Sequence, residues 1–144
     1  MENAGAPYSI RLRGRYVKGL GRSGIFLSMD IYKEIFRKRL GEDPYPGTLN
    51  IEMEGLESYE ELKKICPPQE KIGDIVIGGK TFGGLYIWRA YIEGSEVLLI
   101  RPYRSTHKPT VLEIVSREKL IEKLKIDEGA AITLSVECLP KQEI

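Results

Sequence analysis

A single, mostly β domain with short helices, its strands closing into a small barrel, is the fold class this sequence predicts. Three observations carry the expectation. Seven or eight short segments alternate apolar with polar residues or are dense in β-branched and aromatic side chains. Turn signals separate them at short intervals. Few are parted by a helical pattern long enough for a parallel crossover, which sets the chain against a βαβ sheet. At 144 residues the chain suits one core, with residues 1–7 and 140–144 expected as flexible ends.

In chain order, "YSIRLRGRYV" sets Ile10 and Leu12 between charged neighbours, which is strand periodicity. A helix is predicted over about Asp30 to Leu40, with Ile31, Ile35, Phe36 and Leu40 on one stripe and Gly41 as its stop. "TLNIEME" alternates again through Leu49, Ile51 and Met53. "SYEE" opens a second helix with Ser58 and Glu61 spaced as a capping box. Strands follow at "DIVIGG", "GLYIWRAYI" and "SEVLLIRP", with Gly78-Gly79 and Glu93-Gly94 as hairpin turns. "VLEIV" and "AAITLSVE" complete the strands, and a third helix is expected in "SREKLIEKL" with Ser116 as its N-cap. No internal repeat or low-complexity tract is present.

Composition narrows the function classes. The net charge is +1, from 22 basic and 21 acidic residues, so no global field marks a nucleic-acid binder. Cys66 and Cys138 lack metal-ligand spacing and read as core thiols in a reducing compartment. No apolar run is long enough to span a bilayer and no hydrophobic signal region opens the chain. A soluble, cytoplasmic protein is the expectation, with no membrane and no nucleic-acid partner. Charged residues make up 30% of the chain while Asn and Gln number two each, a bias found in proteins from hot environments.

Four stretches could carry chemistry. "GLGRSG" (Gly19, Leu20, Gly21, Arg22, Ser23, Gly24) fits G-x-G-x-x-G. A Rossmann fingerprint must open directly into a helix. Here "IFLS" follows, and Glu42 and Asp43, at ribose-binding distance, fall in a Pro/Gly-rich turn. Two readings stay open: a glycine loop between antiparallel strands, which can cover nucleotide phosphates, or a plain hairpin connection.

In "PYPGTLNIE", Thr48 and Asn50 leave one strand face, opposite to Leu49 and Ile51. A hydroxyl and an amide carbonyl are hard donors suited to Mg²⁺, whose other positions water and substrate phosphates fill; an exposed polar strand face is the alternative. "RPYRSTHKPT" groups Arg101, Arg104, Ser105, Thr106 and His107, the one histidine, on a proline-bounded loop. That loop suits an anion or substrate, or is a solvated basic turn. Glu113 points opposite to Leu112 and Ile114, toward bulk solvent or into a pocket where it could take a hydroxyl proton.

Taken in order, "GLGRSGIFLS", "GEDPYPGTLNIE", "IRPYRSTH" and "VLEIVSREKL" resemble the archaeal CTP-dependent riboflavin kinase family over nearly the whole chain. The resemblance implies a six-stranded cradle-loop β-barrel, and transfer of the γ-phosphoryl group of CTP to the 5′-hydroxyl of riboflavin, giving FMN and CDP. It implies that Gly19 to Gly24 close over the nucleotide and that Thr48 and Asn50 hold Mg²⁺. It further implies that Ser105 and Glu113 contact the flavin, and that Glu118, Lys119, Leu120 and Ile121 are further nucleotide contacts. Glu113 would act as base or position the ribityl chain. The family usually has threonine at the position of Ser105, and often arginine at that of Ile121 and proline at that of Arg117. A monomer acting on riboflavin and CTP is expected. Two other classes are a flavin- or nucleotide-binding regulator without turnover and a nucleic-acid-binding barrel of transcription-factor type.

Overall fold

Ala90 lies opposite Val136 and Tyr91 opposite Ser135, and this pairing turns a sheet into a closed barrel. The structure, a computed structural model, describes residues 7–19 and 29–140. The expected flexible ends, apart from Pro7 and Pro140, lie outside the described residues, as do residues 20–24 of the glycine stretch.

The elements are β1 (Tyr8–Val17), α1 (Asp30–Leu40), β2 (Leu49–Met53), α2 (Tyr59–Ile65), β3 (Glu70–Ile72), β4 (Ile75–Ile77) and β5 (Lys80–Phe82). They continue with β6 (Leu85–Ile92), β7 (Ser95–Pro102), β8 (Val111–Val115), α3 (Leu120–Leu124) and β9 (Ala131–Cys138). Six antiparallel strands run around the barrel in the order β6-β7-β8-β2-β1-β9, β9 returning to β6. β3 adds to the other side of β6, and β4 with β5 forms a separate hairpin.

Period-two alternation decides which side chains fill the barrel. Leu12 and Tyr16, Leu49 and Ile51, Trp88 and Ala90, Val97 and Leu99, Leu112 and Ile114, and Leu134 and Val136 meet in one core. Trp88, fully buried, donates its indole N–H to the Cys66 carbonyl at 2.7 Å, so its one polar atom is satisfied. A second cluster forms outside the barrel. There α1 lays Tyr32, Phe36 and Leu40 on Leu98, Ile100 and Val115. Tyr32 takes the place that the sequence reading gave to Ile31; Ile31 and Ile35 are only partly buried. Its ring lies on the sheet and its hydroxyl donates to the Gly83 carbonyl at 2.9 Å. Gly41 ends the helix in the left-handed region, at φ 85°, and donates to Arg37 O.

Both predicted hairpin turns have positive φ at their two central residues, Gly78-Gly79 and Glu93-Gly94, as a type I′ turn requires. The capping signals come out differently. Ser58 caps α2 through Glu60 N, and Glu61 reaches back to Glu57 N rather than Ser58 N. Ser116 is not the N-cap of α3: its hydroxyl accepts from Glu118 N in a bend, and α3 starts after Lys119. The Ser116 carbonyl is held by Tyr45 N at 2.8 Å, which keeps the chain from entering the helix there.

Cys66 and Cys138 are not free thiols. They form a disulfide between the end of α2 and the end of β9, 72 residues apart, with Cα atoms 4.7 Å apart. Barrel closure juxtaposes them, and the inference of a reducing compartment loses its basis. Among the described residues no helix is long and apolar enough to cross a membrane.

Candidate active site

Alternation along β2 sends Leu49 and Ile51 into the barrel and Asn50 to its outer face. There the register sets Asn50 between Val17 of β1 and Glu113 of β8. Thr48, just before β2, donates its hydroxyl to Glu113 Oε1 at 3.0 Å. Thr48, Asn50 and Glu113, three residues singled out from two separate motifs, thus form one cluster.

This outer face is not open to solvent. Every residue of β8 is buried, because barrel packing covers one side of the strand and outer-face packing the other. Glu113 is 9% exposed and Asn50 5%. Burial raises the Glu113 pKa above the ordinary glutamate value, while the Thr48 hydrogen bond and the positive fields of His107 and Arg101 pull it back. Glu113 therefore does not face bulk solvent, and the exposed-face alternative for Asn50 is excluded.

Asn50 Oδ1 is buried without a hydrogen-bond partner. Such an acceptor is costly, and a cation beside it would satisfy it. Thr48, whose hydroxyl donates to Glu113, is a second neutral oxygen next to this amide in the chain. Neutral oxygens of this kind fit a hard divalent cation that also binds phosphates. Among the described residues no three His, Cys, Asp or Glu side chains converge as a metal site, so most ligands would come from substrate and water. Gly19 supports the same corner. A side-chain carbon there would fall 2.1 Å from Asn50 Nδ2, so a larger residue would have to displace the amide. Gly19 is the one member of the glycine stretch among the described residues; Leu20, Gly21, Arg22, Ser23 and Gly24 lie outside them.

Beyond Thr48 a small cleft opens, lined among others by Tyr45, Gly47, Ser116, Glu118, Lys119 and Ile121. The Glu118–Ile121 stretch and Thr48 therefore share one cavity. Arg117 donates to Leu40 O at 2.8 Å and so ties this segment to the end of α1. Ser105 lies at the other end of β8, in the loop between β7 and β8. Its hydroxyl accepts from His107 N at 3.1 Å and keeps its own proton for another acceptor. Glu113 stands between the two ends: Ser116 is three residues away, roughly 10 Å along a strand.

The reading of the basic loop needs correction in two places. Arg101 is 6% exposed and its guanidinium is spent on backbone carbonyls. Arg104 pairs with Asp74 at 2.8 Å at the surface. Neither is a free anion ligand. Tyr45, Gly47 and Ser116, which line the cleft, were not singled out for it. The prolines on either side of Tyr45, which fix an irregular segment, were the available signal.

Comparison with known proteins adds an independent line. A family model, CTP-dep_RFKase, described as a domain of unknown function, DUF120, matches residues 16–136, which contain every motif named above. The chain is 34% identical over 140 residues to the riboflavin kinase of Methanocella arvoryzae, covering 94% of this chain and 60% of that protein. It is 34% identical over 130 residues to that of Pyrobaculum arsenaticum, covering 89% and 61%. Against that of Saccharolobus solfataricus it is 35% identical over 131 residues, covering 90% and 75%. The chain thus spans about 60% of the length of the first two relatives.

Proposed function

The chain belongs to the CTP-dependent riboflavin kinase family, and from that premise we propose that it transfers the γ-phosphoryl group of CTP to the 5′-hydroxyl of riboflavin, giving FMN and CDP. The observation that carries the reading onto this chain is the buried Thr48–Asn50–Glu113 cluster with its unpartnered Asn50 oxygen, placed between the cleft at Glu118–Ile121 and the loop bearing Ser105.

In the reaction a bond forms between the riboflavin 5′-oxygen and the γ-phosphorus, and the bond from that phosphorus to the β,γ-bridging oxygen breaks, CDP leaving with the electron pair. Thr48 and Asn50 would hold Mg²⁺, which when bound neutralises charge on the phosphates. The cleft holds the nucleotide, with the glycine stretch from Gly19 covering it. Ser105 donates to the flavin. Glu113 accepts the hydrogen bond of the 5′-hydroxyl and aligns its oxygen, and the hydroxyl proton passes to that carboxylate late in the step and from there to solvent; a loose transition state makes positioning the larger contribution.

The assay that tests the reading combines purified protein, riboflavin and Mg²⁺ with each of the four nucleoside triphosphates. FMN should form at least about tenfold faster with CTP than with ATP, a difference of about 1.4 kcal/mol in barrel-bound transition states. Equal or greater turnover with ATP removes the nucleotide assignment. Ligand binding without product favours the regulator, and salt-sensitive DNA binding favours the transcription-factor class.

Glu113→Gln separates chemistry from packing through pH. Because the folded protein holds the Glu113 proton more tightly than the unfolded chain, the stability linked to this group is fully present below the ordinary glutamate pKa of about 4.3. It is lost as pH rises through the raised folded value. The groups acting on the carboxyl are Thr48, His107 and Arg101. The variant should therefore melt above wild type at pH 8 and lose that advantage below about pH 4, while FMN formation at pH 8 falls by about 10²-fold. Melting temperatures across pH for both proteins check this, and a variant that melts below wild type at pH 8 contradicts the assignment of a desolvated carboxyl.

A further inference from the structure

Arg101 is a charged side chain facing the barrel interior at its mouth. It lies opposite Tyr86 on β6 and two residues beyond Leu99 on the same face of β7. Among the described residues no carboxylate pairs with it directly. Its guanidinium instead donates from Nη1 to Lys108 O at 2.9 Å and Val111 O at 2.8 Å, and from Nη2 to His107 O at 3.3 Å. It lies over the Tyr59 ring, 4.6 Å from the centroid. Its Nε is buried without a partner.

Such a group is poor value for stability. A buried cation loses its hydration, and well-packed apolar replacements of buried charges are often neutral or stabilising. What the guanidinium does supply is geometric: a planar fork that holds two carbonyls of the β7–β8 loop and that of the first residue of β8 at once. That loop carries Ser105, whose hydroxyl accepts the amide of His107, the residue whose carbonyl Arg101 holds.

We propose that Arg101 is a positioning residue for the flavin substrate, acting by clamping the loop from His107 to Val111 so that Ser105 is presented in a fixed orientation. The inference rests on the assignment of Ser105 to riboflavin above. In this role Arg101 acts through the loop, and it is not among the residues that line the nucleotide cleft at the opposite end of β8.

The test uses wild type, Arg101→Met, Arg101→Lys, Ser105→Ala and the Ser105→Ala/Arg101→Met double variant. Riboflavin binding is read by quenching of flavin fluorescence, CTP by its KM, and the loop by hydrogen exchange at the His107 and Val111 amides. Arg101→Met should weaken riboflavin binding about tenfold, leave the CTP KM within about twofold, keep the melting temperature, and speed exchange at those two amides while β6 and β7 stay protected. Arg101→Lys, with charge but no fork, should fall between Met and wild type. In the Ser105→Ala background the Met change should cost far less than it does alone. Unchanged riboflavin affinity in both Arg101 variants overturns the inference. So do parallel losses for riboflavin and CTP with a lowered melting temperature, or full additivity in the double variant. Failure of wild type itself to bind riboflavin overturns the flavin assignment and this inference with it, which the wild-type titration alone distinguishes.

Discussion

Replacing Asn50 by leucine should reduce FMN formation by about two orders of magnitude or more while the protein stays folded. Asn50 is 5% exposed and its Oδ1 has no hydrogen-bond partner. Leucine has similar volume and removes an orphaned acceptor, so the fold loses little or gains slightly. The expected loss in turnover corresponds to several kcal/mol of charge stabilisation withdrawn with the cation. Thr48→Val acts in the same direction, since it removes both an oxygen ligand and the donor to Glu113. The double variant should be clearly less damaging than the product of the single effects, because both residues serve one ion. Steady-state FMN production against Mg²⁺ concentration for the four proteins is the measurement. Near wild-type turnover and an unchanged Mg²⁺ dependence in Asn50→Leu would show that this pair holds no metal.

Loss of the Cys66–Cys138 disulfide should cost about 4 kcal/mol of stability, from the entropy that a cross-link spanning 72 residues removes from the unfolded chain. For a domain of this size that is roughly a 10–15 °C fall in melting temperature. Both cysteines are fully buried, so alanine at the two positions also leaves a small cavity, which adds to the loss. The bridge fastens α2 to β9, and Gln69 repeats the fastening by donating to Glu137 O at 2.8 Å and accepting from Arg89 N at 2.6 Å. The barrel should therefore still form without it. Unfolding midpoints of wild type and of Cys66→Ala/Cys138→Ala, measured with and without reductant, check this. The midpoint of the double variant should not respond to reductant; a wild type that melts with the double variant even when oxidised would show that the bridge contributes nothing. A disulfide fits the charged, Asn- and Gln-poor composition, since bridges do occur inside cells of hyperthermophiles.

Local physics was legible in the sequence wherever it operates within a few residues. Alternation in "YSIRLRGRYV" and "TLNIEME" placed β1 and β2, Glu93-Gly94 marked a tight hairpin, and Gly41 ended α1 where a left-handed residue was needed. The same alternation put Thr48 and Asn50 on one face. β3 (EKI) and β5 (KTF) are too short to show a period and lack the β-branched run that marks the equally short β4 (IVI). Capping was read less well: Ser58 and Ser116 do bond to nearby amides, but a competing tertiary hydrogen bond from Tyr45 N to Ser116 O moved the start of α3.

By itself, then, the sequence determined the longer strands, most turns, the family and the residue types available for metal, nucleotide and flavin, because each depends on neighbours in the chain or on motifs that survive in order. Only the tertiary structure decided what those residues meet. The closing pair β6–β9 set the end of β9 beside α2 and joined two cysteines that read as solitary thiols. The β2–β8 register put Glu113 beside Asn50 and within reach of Thr48, and packing on both faces of β8 buried its carboxyl. Arg101, read as a ligand for anions, was turned inward by its place on β7 and held three carbonyls instead. Each of these outcomes depends on which distant strand lies alongside, a choice made by cooperative burial of the whole core and invisible to any local period.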